Sequence, residues 1–164
     1  MKRLIIVRHA KAVKSGGHGK DFDRALSERG LDDAVGMGRR LARRGAHPDA
    51  VVSSPAARAL ETARALCREL DFPWNEIRTA QQAYLAELET LLGLVHGLDE
   101  RAETALLVGH NPGCTELAQT LARDFAQELP TCAVVALELP ADTWAGVRRG
   151  SGGLGWYEYP AKPL

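Results

Sequence analysis

Short apolar runs alternate along the chain with longer amphipathic stretches. Residues 4–7 are four consecutive apolar side chains, too few for a helix, and they predict a strand buried on both faces. Comparable runs predict further strands, and a 3.6-residue period predicts the helices between them. The predicted strands are 3–8, 50–53, 77–79, 104–108 and 132–139, and the predicted helices are about 27–44, 55–71, 87–98 and 112–127. This α/β alternation predicts a three-layer α/β/α sandwich with a mostly parallel central sheet.

Two segments lack this periodicity. Residues 11–23 predict a flexible loop, and Lys11, Lys14 and Lys20 make it either a cationic flap beside the end of the first strand or an ordinary surface loop. Residues 144–159 place glycines around short aromatic segments. That pattern predicts a hairpin at the sheet edge.

Composition limits the classes of function. The 164 residues suit one domain, residues 1–164, and 21 basic against 21 acidic side chains argue against a general nucleic-acid binder. No secretory leader or membrane-spanning run is evident, so we expect a cytoplasmic protein without a membrane partner. The three cysteines have no metal-binding or disulfide spacing and are interpreted as buried thiols.

Arg8 and His9 follow the first predicted strand directly. Ligands of open α/β sheets bind beyond the carboxyl ends of the strands, so this position favours a binding site. A neutral imidazole is nucleophilic near pH 7, and a guanidinium offers a planar fork of donors that matches phosphate oxygens. The pair therefore predicts phosphoryl chemistry, with His9 as nucleophile and Arg8 as a phosphate ligand.

Two further positions suggest the same chemistry. Ser54 as a helix cap and Pro55 as the first helical residue would place Arg58 in the first turn of its helix, where a bound anion would offset the unfavourable helix dipole. His110 follows the strand 104–108, with Asn111 as the cap of the next helix. That position puts an imidazole and free backbone amides at another strand end.

Four segments together resemble the histidine phosphatase superfamily, with its phosphoglycerate mutase-like fold, and within it the small phosphohistidine phosphatases of the SixA type. The segments are 7–12, 24–30, 53–58 and 106–113, and the resemblance runs from residue 3 to about residue 139. It implies a phosphohistidine formed on His9, phosphate held by Arg8 and Arg58, and a hydrogen bond from His110 to the transferring group. The sequence itself indicates no cofactor and no metal site.

The resemblance also suggests secondary site residues. Arg24 corresponds to an arginine of the phosphohistidine enzymes, and it contacts either substrate or the neighbouring Asp21 or Asp23. Lys11 and Asn111 are further candidates for substrate binding, although Asn111 is also explained as a cap. The implied partner is a protein carrying a phosphorylated histidine, either a phosphotransfer domain or a phosphocarrier of a signalling or sugar-phosphotransferase relay, with phosphate as product.

The leaving group distinguishes the candidate substrates. An alkoxide needs a proton donor in the transition state, whereas imidazole departs more easily. No dedicated acid is evident in the sequence, so a P–N bond is favoured over a phosphate ester. Two alternatives remain: a small-molecule phosphomonoesterase that uses Glu87 as its acid, and a non-catalytic phosphate-binding regulator.

Overall fold

The computed structural model describes residues 1–14 and 19–161. The central part of the predicted loop 11–23, residues 15–18, lies outside the described residues. Strands and helices alternate as predicted as far as the fifth strand, and a sixth strand follows it directly. The elements are β1 (Lys2–Arg8), α1 (Glu28–Arg43), β2 (Ala50–Ser53), α2 (Ala57–Glu69), β3 (Arg78–Thr79), α3 (Leu88–His96), β4 (Thr104–Gly109), α4 (Gly113–Leu121), β5 (Val134–Leu139) and β6 (Gly153–Glu158). Short 3₁₀ helices occupy Asp21–Asp23, Trp74–Glu76 and Gln81–Ala83.

The described strands form one mixed sheet in the order β3-β2-β4-β1-β5-β6. Neighbours from β3 to β1 are parallel, while β5 is antiparallel to both β1 and β6. Five of these six strands therefore run in the same direction, which confirms the mostly parallel sheet. Within the described residues, no helix has the length and apolar character needed to cross a bilayer.

The alternation of side chains in β1 explains the three layers. Ile5 and Val7 pack with α1 and α2 on one face, while Leu4 and Ile6 pack with α3 and α4 on the other. All four are fully buried. Since successive strand residues point to opposite faces, a strand covered on both sides requires this unbroken apolar run.

Helix starts agree only partly with the predicted caps. Ser27 caps α1 as predicted, because its hydroxyl accepts a hydrogen bond from the Gly30 amide at 3.0 Å. The predicted cap Ser54 is wrong, since α2 begins at Ala57 and its N-cap residue is Ala56. The Ser54 hydroxyl instead accepts from the Ala56 amide and contacts His110.

The predicted end of the fourth helix, the predicted start of the fifth strand and the predicted hairpin at 144–159 are wrong. Helix α4 stops at Leu121 rather than 127, because the backbone amide of Gly152 donates to the Leu121 carbonyl and the chain turns extended at Ala122. Strand β5 begins at Val134 rather than 132, since Cys132 has a φ of 61°. Residues 144–159 contain one edge strand, β6, which pairs with β5 instead of forming its own hairpin.

Candidate active site

Three neighbouring parallel strands end at one edge of the sheet. Strand β4 lies between β2 and β1, with Ser53 opposite Val108 and Arg8 opposite Gly109. The next residues along these strands, Ser54, His110 and His9, therefore lie side by side. The carboxyl end of the sheet brings together the two histidines that the sequence singles out, and their ring centroids are 5.1 Å apart.

The hydrogen bonds of His9 define its tautomer. Its Nδ1 lies 2.7 Å from the carbonyl oxygen of Ala10, which can only accept, so Nδ1 carries the proton. The lone pair therefore resides on Nε2, which accepts a hydrogen bond from Arg58 Nε at 3.3 Å. The Ala10 amide in turn donates to the Thr62 hydroxyl of α2 at 3.0 Å. These contacts orient Nε2 as the nucleophilic atom.

The surroundings of His9 keep the ring neutral. Burial, and after it the positive charges of Arg58, Arg8 and Arg24 in that order, lower the pKa of His9 to about 4. Its hydrogen bond to the Ala10 carbonyl opposes this shift. At pH 7 Nε2 is therefore unprotonated and keeps its lone pair, as a nucleophile requires.

Arg58 lies in the first turn of α2, as predicted, and is 4% exposed. Its guanidinium meets Asp21 as well as His9: Nη1 donates to the Asp21 carbonyl at 2.8 Å and Nη2 to Asp21 Oδ2 at 3.0 Å. An almost fully buried guanidinium is thus held by three hydrogen bonds. Its permanent charge lies beside the nucleophilic nitrogen.

Arg8 is held from the other side of the site. Its Nη1 donates to the carbonyl of Leu129 at 2.9 Å, and that carbonyl also accepts from Asn111 Nδ2 at 2.9 Å. Arg8 Nε is buried and has no hydrogen-bond partner among the described residues. A buried donor without a partner is costly, so this edge of the guanidinium suits a bound anion.

His110 is buried, with 3% exposure, between Ser54 and the ring of Tyr84. Its Nε2 lies 2.8 Å from the Ser54 hydroxyl, whereas Nδ1 is buried without a partner among the described residues. Burial, followed by the charges of His9 and Arg58, lowers the pKa of His110 to about 3. The neutral ring can therefore donate one hydrogen bond, and the unpartnered Nδ1 is the atom available for it.

Asp21 and Tyr84 join the site although the sequence did not single them out. Asp21 Oδ2 accepts from the Tyr84 hydroxyl at 2.5 Å and Oδ1 accepts from Arg24 Nη1 at 2.9 Å. Hydrogen bonds from Tyr84, Arg24 and Arg58 hold the pKa of Asp21 well below its usual range. The only indication of Asp21 in the sequence was its position three residues before Arg24, because a contact between these two side chains was one of the alternatives for Arg24.

The remaining predicted residues differ in their contacts. Arg24 is held by Asp21 and by the carbonyl of Val13, and its charge reaches His9. Lys11 has an exposed side chain, while its carbonyl accepts from Ser27. The predicted cap at Asn111 is wrong by one residue, since Pro112 is the N-cap residue of α4. The Asn111 amide is nevertheless used at both ends, because Nδ2 donates to the Leu129 carbonyl and Oδ1 accepts from the amide and the hydroxyl of Thr115.

Glu87 is the N-cap residue of α3, one position before the helix rather than in its first turn. Its side chain is exposed and has no hydrogen bond or ion pair with any described residue. A separate groove of about 550 Å³ lies beside β2 and β3 and is lined by none of the predicted site residues. Over residues 1–14 and 19–161, no three His, Cys, Asp or Glu side chains cluster closely enough to hold a metal ion.

The fold and the sequence both match known proteins. A Mycobacterium tuberculosis protein described as uncharacterized is 30% identical across 94% of this chain and 99% of its own length. An uncharacterized chloroplastic protein of Arabidopsis thaliana is 28% identical across 94% of this chain and 74% of its own.

Among solved structures, a protein from Agrobacterium tumefaciens assigned as a phosphohistidine phosphatase SixA superposes with a TM-score of 0.82 at 28% identity, over 98% of this chain and 99% of that chain. A protein of Nakamurella with the same assignment gives 0.85 at 23% identity, over 98% and 97%, and at that identity shows the fold alone. The model of the histidine phosphatase superfamily (branch 1) matches residues 4–91. The chain therefore belongs to the histidine phosphatase superfamily and is a phosphatase of the SixA type.

Proposed function

We propose that this phosphatase hydrolyses the P–N bond of a phosphohistidine carried on another protein, through a phospho-His9 intermediate. In this proposal Arg8, Arg58 and His110 hold the phosphoryl oxygens. Two guanidiniums and a neutral imidazole donor supply the charge and hydrogen bonds that a transferring phosphoryl group requires. The name of the Agrobacterium relative agrees with this substrate class.

The first step forms one bond and breaks one. The lone pair of His9 Nε2 attacks phosphorus, and the bond between phosphorus and the substrate imidazole breaks. When the other nitrogen of that imidazole is already protonated, the ring departs as a neutral molecule and needs no proton from the enzyme. Meanwhile the Nδ1 proton of His9 stays on its hydrogen bond to the Ala10 carbonyl, so the new phosphohistidine is activated as its imidazolium form.

The second step returns the enzyme to its starting state. Water attacks phosphorus, the bond to His9 Nε2 breaks, and the electron pair returns to the ring. Inorganic phosphate leaves as dihydrogen phosphate, with the oxygen and both protons of that water. His110, neutral and with its Nδ1 unpartnered, donates to the phosphoryl group through both steps, while the Ser54 hydroxyl donates to His110 Nε2 and accepts from the Ala56 amide.

The observation that carries the choice of a P–N substrate is the state of Asp21. The carboxyl group of Asp21 contacts Arg58 beside the nucleophile, and hydrogen bonds from Tyr84, Arg24 and Arg58 keep that group ionised. An ionised carboxylate cannot protonate an alkoxide, whereas imidazole leaves without such help. Glu87, the alternative acid, is exposed and contacts none of the described site residues.

The test compares leaving groups on one enzyme. Phosphate release is measured from a phosphohistidine-bearing phosphotransfer protein, from p-nitrophenyl phosphate and from sugar phosphates, with His9→Asn as the inactive control. We expect rapid P–N hydrolysis, slow ester hydrolysis, and loss of both in the control. Glu87→Gln should leave the P–N rate within twofold of native.

Faster turnover of the sugar phosphates, lost in Glu87→Gln, would instead assign a metabolite phosphatase that uses Glu87 as acid. Tight phosphate binding without turnover or phosphoenzyme would assign a phosphate-binding regulator. Either outcome would overturn the proposal.

A further inference from the structure

The guanidinium of Arg58 has two usable edges, and Asp21 occupies one of them. The outer edge, Nη1 and Nη2, donates to the carbonyl and the carboxylate of Asp21 at 2.8 and 3.0 Å. The inner edge consists of the Nε hydrogen and the second hydrogen of Nη2. Its Nε donates to His9 Nε2 at 3.3 Å. Such an edge of two parallel N–H groups is the one that binds two phosphate oxygens together.

We propose that Asp21 is a positioning residue, which holds the outer edge of Arg58 so that the inner edge faces the phosphoryl group on His9. The proposal rests on His9 being the nucleophile of the proposed function, but not on which leaving group it displaces. Arg58 has a long side chain with several rotatable bonds, and fixing its guanidinium before substrate binds removes an entropic cost from the reaction.

Asp21 is itself held firmly enough for this role. Its two carboxylate oxygens accept from Arg24 Nη1 at 2.9 Å and from the Tyr84 hydroxyl at 2.5 Å, in addition to Arg58. The Tyr84 ring contacts His110 edge-on, with centroids 5.5 Å apart. Asp21 therefore connects Arg58, which contacts His9, with Arg24 and with Tyr84, whose ring contacts His110.

A competing interpretation makes the carboxylate of Asp21 a stand-in for phosphate that substrate must displace. Two features argue against it. The backbone carbonyl of Asp21 shares the outer edge with the carboxylate, so Asp21 grips Arg58 with main chain as well as side chain. Arg58 Nε, the group that faces His9, makes no hydrogen bond with Asp21.

The two interpretations predict opposite changes in kcat/KM and in orthovanadate affinity for Asp21→Asn. This variant keeps the size of the side chain but removes its charge, so the hydrogen bonds to Arg24 and Arg58 lose their ionic partner. If Asp21 positions Arg58, kcat/KM falls at least tenfold and inhibition by orthovanadate weakens. If it competes with phosphate, both kcat/KM and orthovanadate affinity rise.

The matched control is Asp23→Asn on the same 3₁₀ helix. Asp23 is exposed and its side chain makes no hydrogen bond or ion pair with the described residues, so the same change of charge occurs two residues away without touching Arg58. We expect its kcat/KM to stay within twofold of native. Thermal melting should show that both variants are folded.

The decisive readout is a double-mutant cycle with Arg58→Ala, followed by single-turnover formation of phosphoenzyme. If Asp21 acts through Arg58, then Asp21→Asn adds no further loss once Arg58 is absent. Equal losses in both backgrounds would overturn the proposal, as would a gain in kcat/KM or an equal loss in Asp23→Asn. Should native enzyme prefer an ester, the cycle is run on that ester, so failure of the proposed substrate leaves this test intact.

Discussion

Ser54 and His110 are joined by a 2.8 Å hydrogen bond between two buried side chains at the ends of adjacent strands. The hydroxyl also accepts from the Ala56 amide, which leaves it free to donate to His110 Nε2. We therefore predict that Ser54→Ala lowers kcat about fivefold, because His110 loses the contact that fixes its ring and tautomer, and a net hydrogen bond contributes about 1 kcal/mol. Steady-state kinetics of phosphate release measure this loss.

Ser53→Ala provides the control for that prediction. Ser53 is equally buried, and its hydroxyl donates to the Ser54 carbonyl rather than to a histidine. Its kcat should remain near native even if stability falls. An equal loss in both serine variants would mean that packing, and not the contact with His110, explains the effect.

The two histidines should titrate far below the ordinary range. Burial and the neighbouring arginines lower the pKa of His9 to about 4, while burial and the charges around it lower that of His110 to about 3. We expect proton NMR of the native protein to show both rings neutral at pH 5, with assignments from His9→Gln and His110→Gln. A His9 resonance with its midpoint near 6.5 would contradict the burial of its charge.

The same shifts make folding stability depend on pH. Between pH 6.5 and about 4 the unfolded chain takes up a proton on His9 that the folded protein does not, so the free energy of unfolding decreases as pH falls. Each such histidine contributes at most about 1.4 kcal/mol per pH unit. Urea unfolding at pH 7.5, 5.5 and 4.5 should show this decline, and a shallower decline in His9→Gln.

Gly30 supports the backbone that follows His9. A Cβ at Gly30 would lie 2.0 Å from the carbonyl oxygen of Lys11, so Gly30→Ala forces the backbone apart and should destabilise the protein by about 1–3 kcal/mol while lowering kcat. Gly36→Ala, on the same helix with open space around it, should instead stabilise by up to about 1 kcal/mol. Urea unfolding of the two variants compares them directly, and equal effects would contradict the contact with Lys11.

The three thiols should be inert in the folded state. Cys67, Cys114 and Cys132 are fully buried, and burial raises the pKa of each to about 12. A chromogenic disulfide reagent at pH 8 should therefore detect no thiol in native protein and three after denaturation. A single fast thiol before denaturation would indicate that Cys114, next to the site, becomes accessible.

The placement of His9 and His110 was predictable because each follows a buried apolar run, and the ends of parallel strands share one edge. The contact between Asp21 and Arg58 was not. It joins two residues 37 positions apart, and Asp21 lies in a segment without hydrophobic periodicity, so no sequence pattern predicts the contact. The wrong cap at Ser54 has a similar origin. Serine is a preferred N-cap residue, and only the fold brings His110 close enough to form a hydrogen bond with the Ser54 hydroxyl.

The end of α4 and the strand β6 depended on contacts between distant residues as well. Gly152 terminates the helix by donating to the Leu121 carbonyl, and a Cβ there would lie 2.9 Å from that oxygen. Trp144, read as part of a hairpin, is instead buried with its indole N–H on the Ala102 carbonyl at 2.8 Å. The local sequence indicated a glycine-rich turn within a hairpin, but the burial of Trp144 and the pairing of β6 with β5 determine the structure of this segment.

The position of β1 in the middle of the sheet has a consequence for how the protein is made. Ile5 pairs with Leu106 on one side and with Ala136 on the other, which are 101 and 131 residues further along the chain. Such distant pairings make folding slow, and the apolar strand stays unpaired until β4 and β5 have left the ribosome. Since His9 lies at the end of that strand, the nucleophile is synthesised well before the two strands that fix its position.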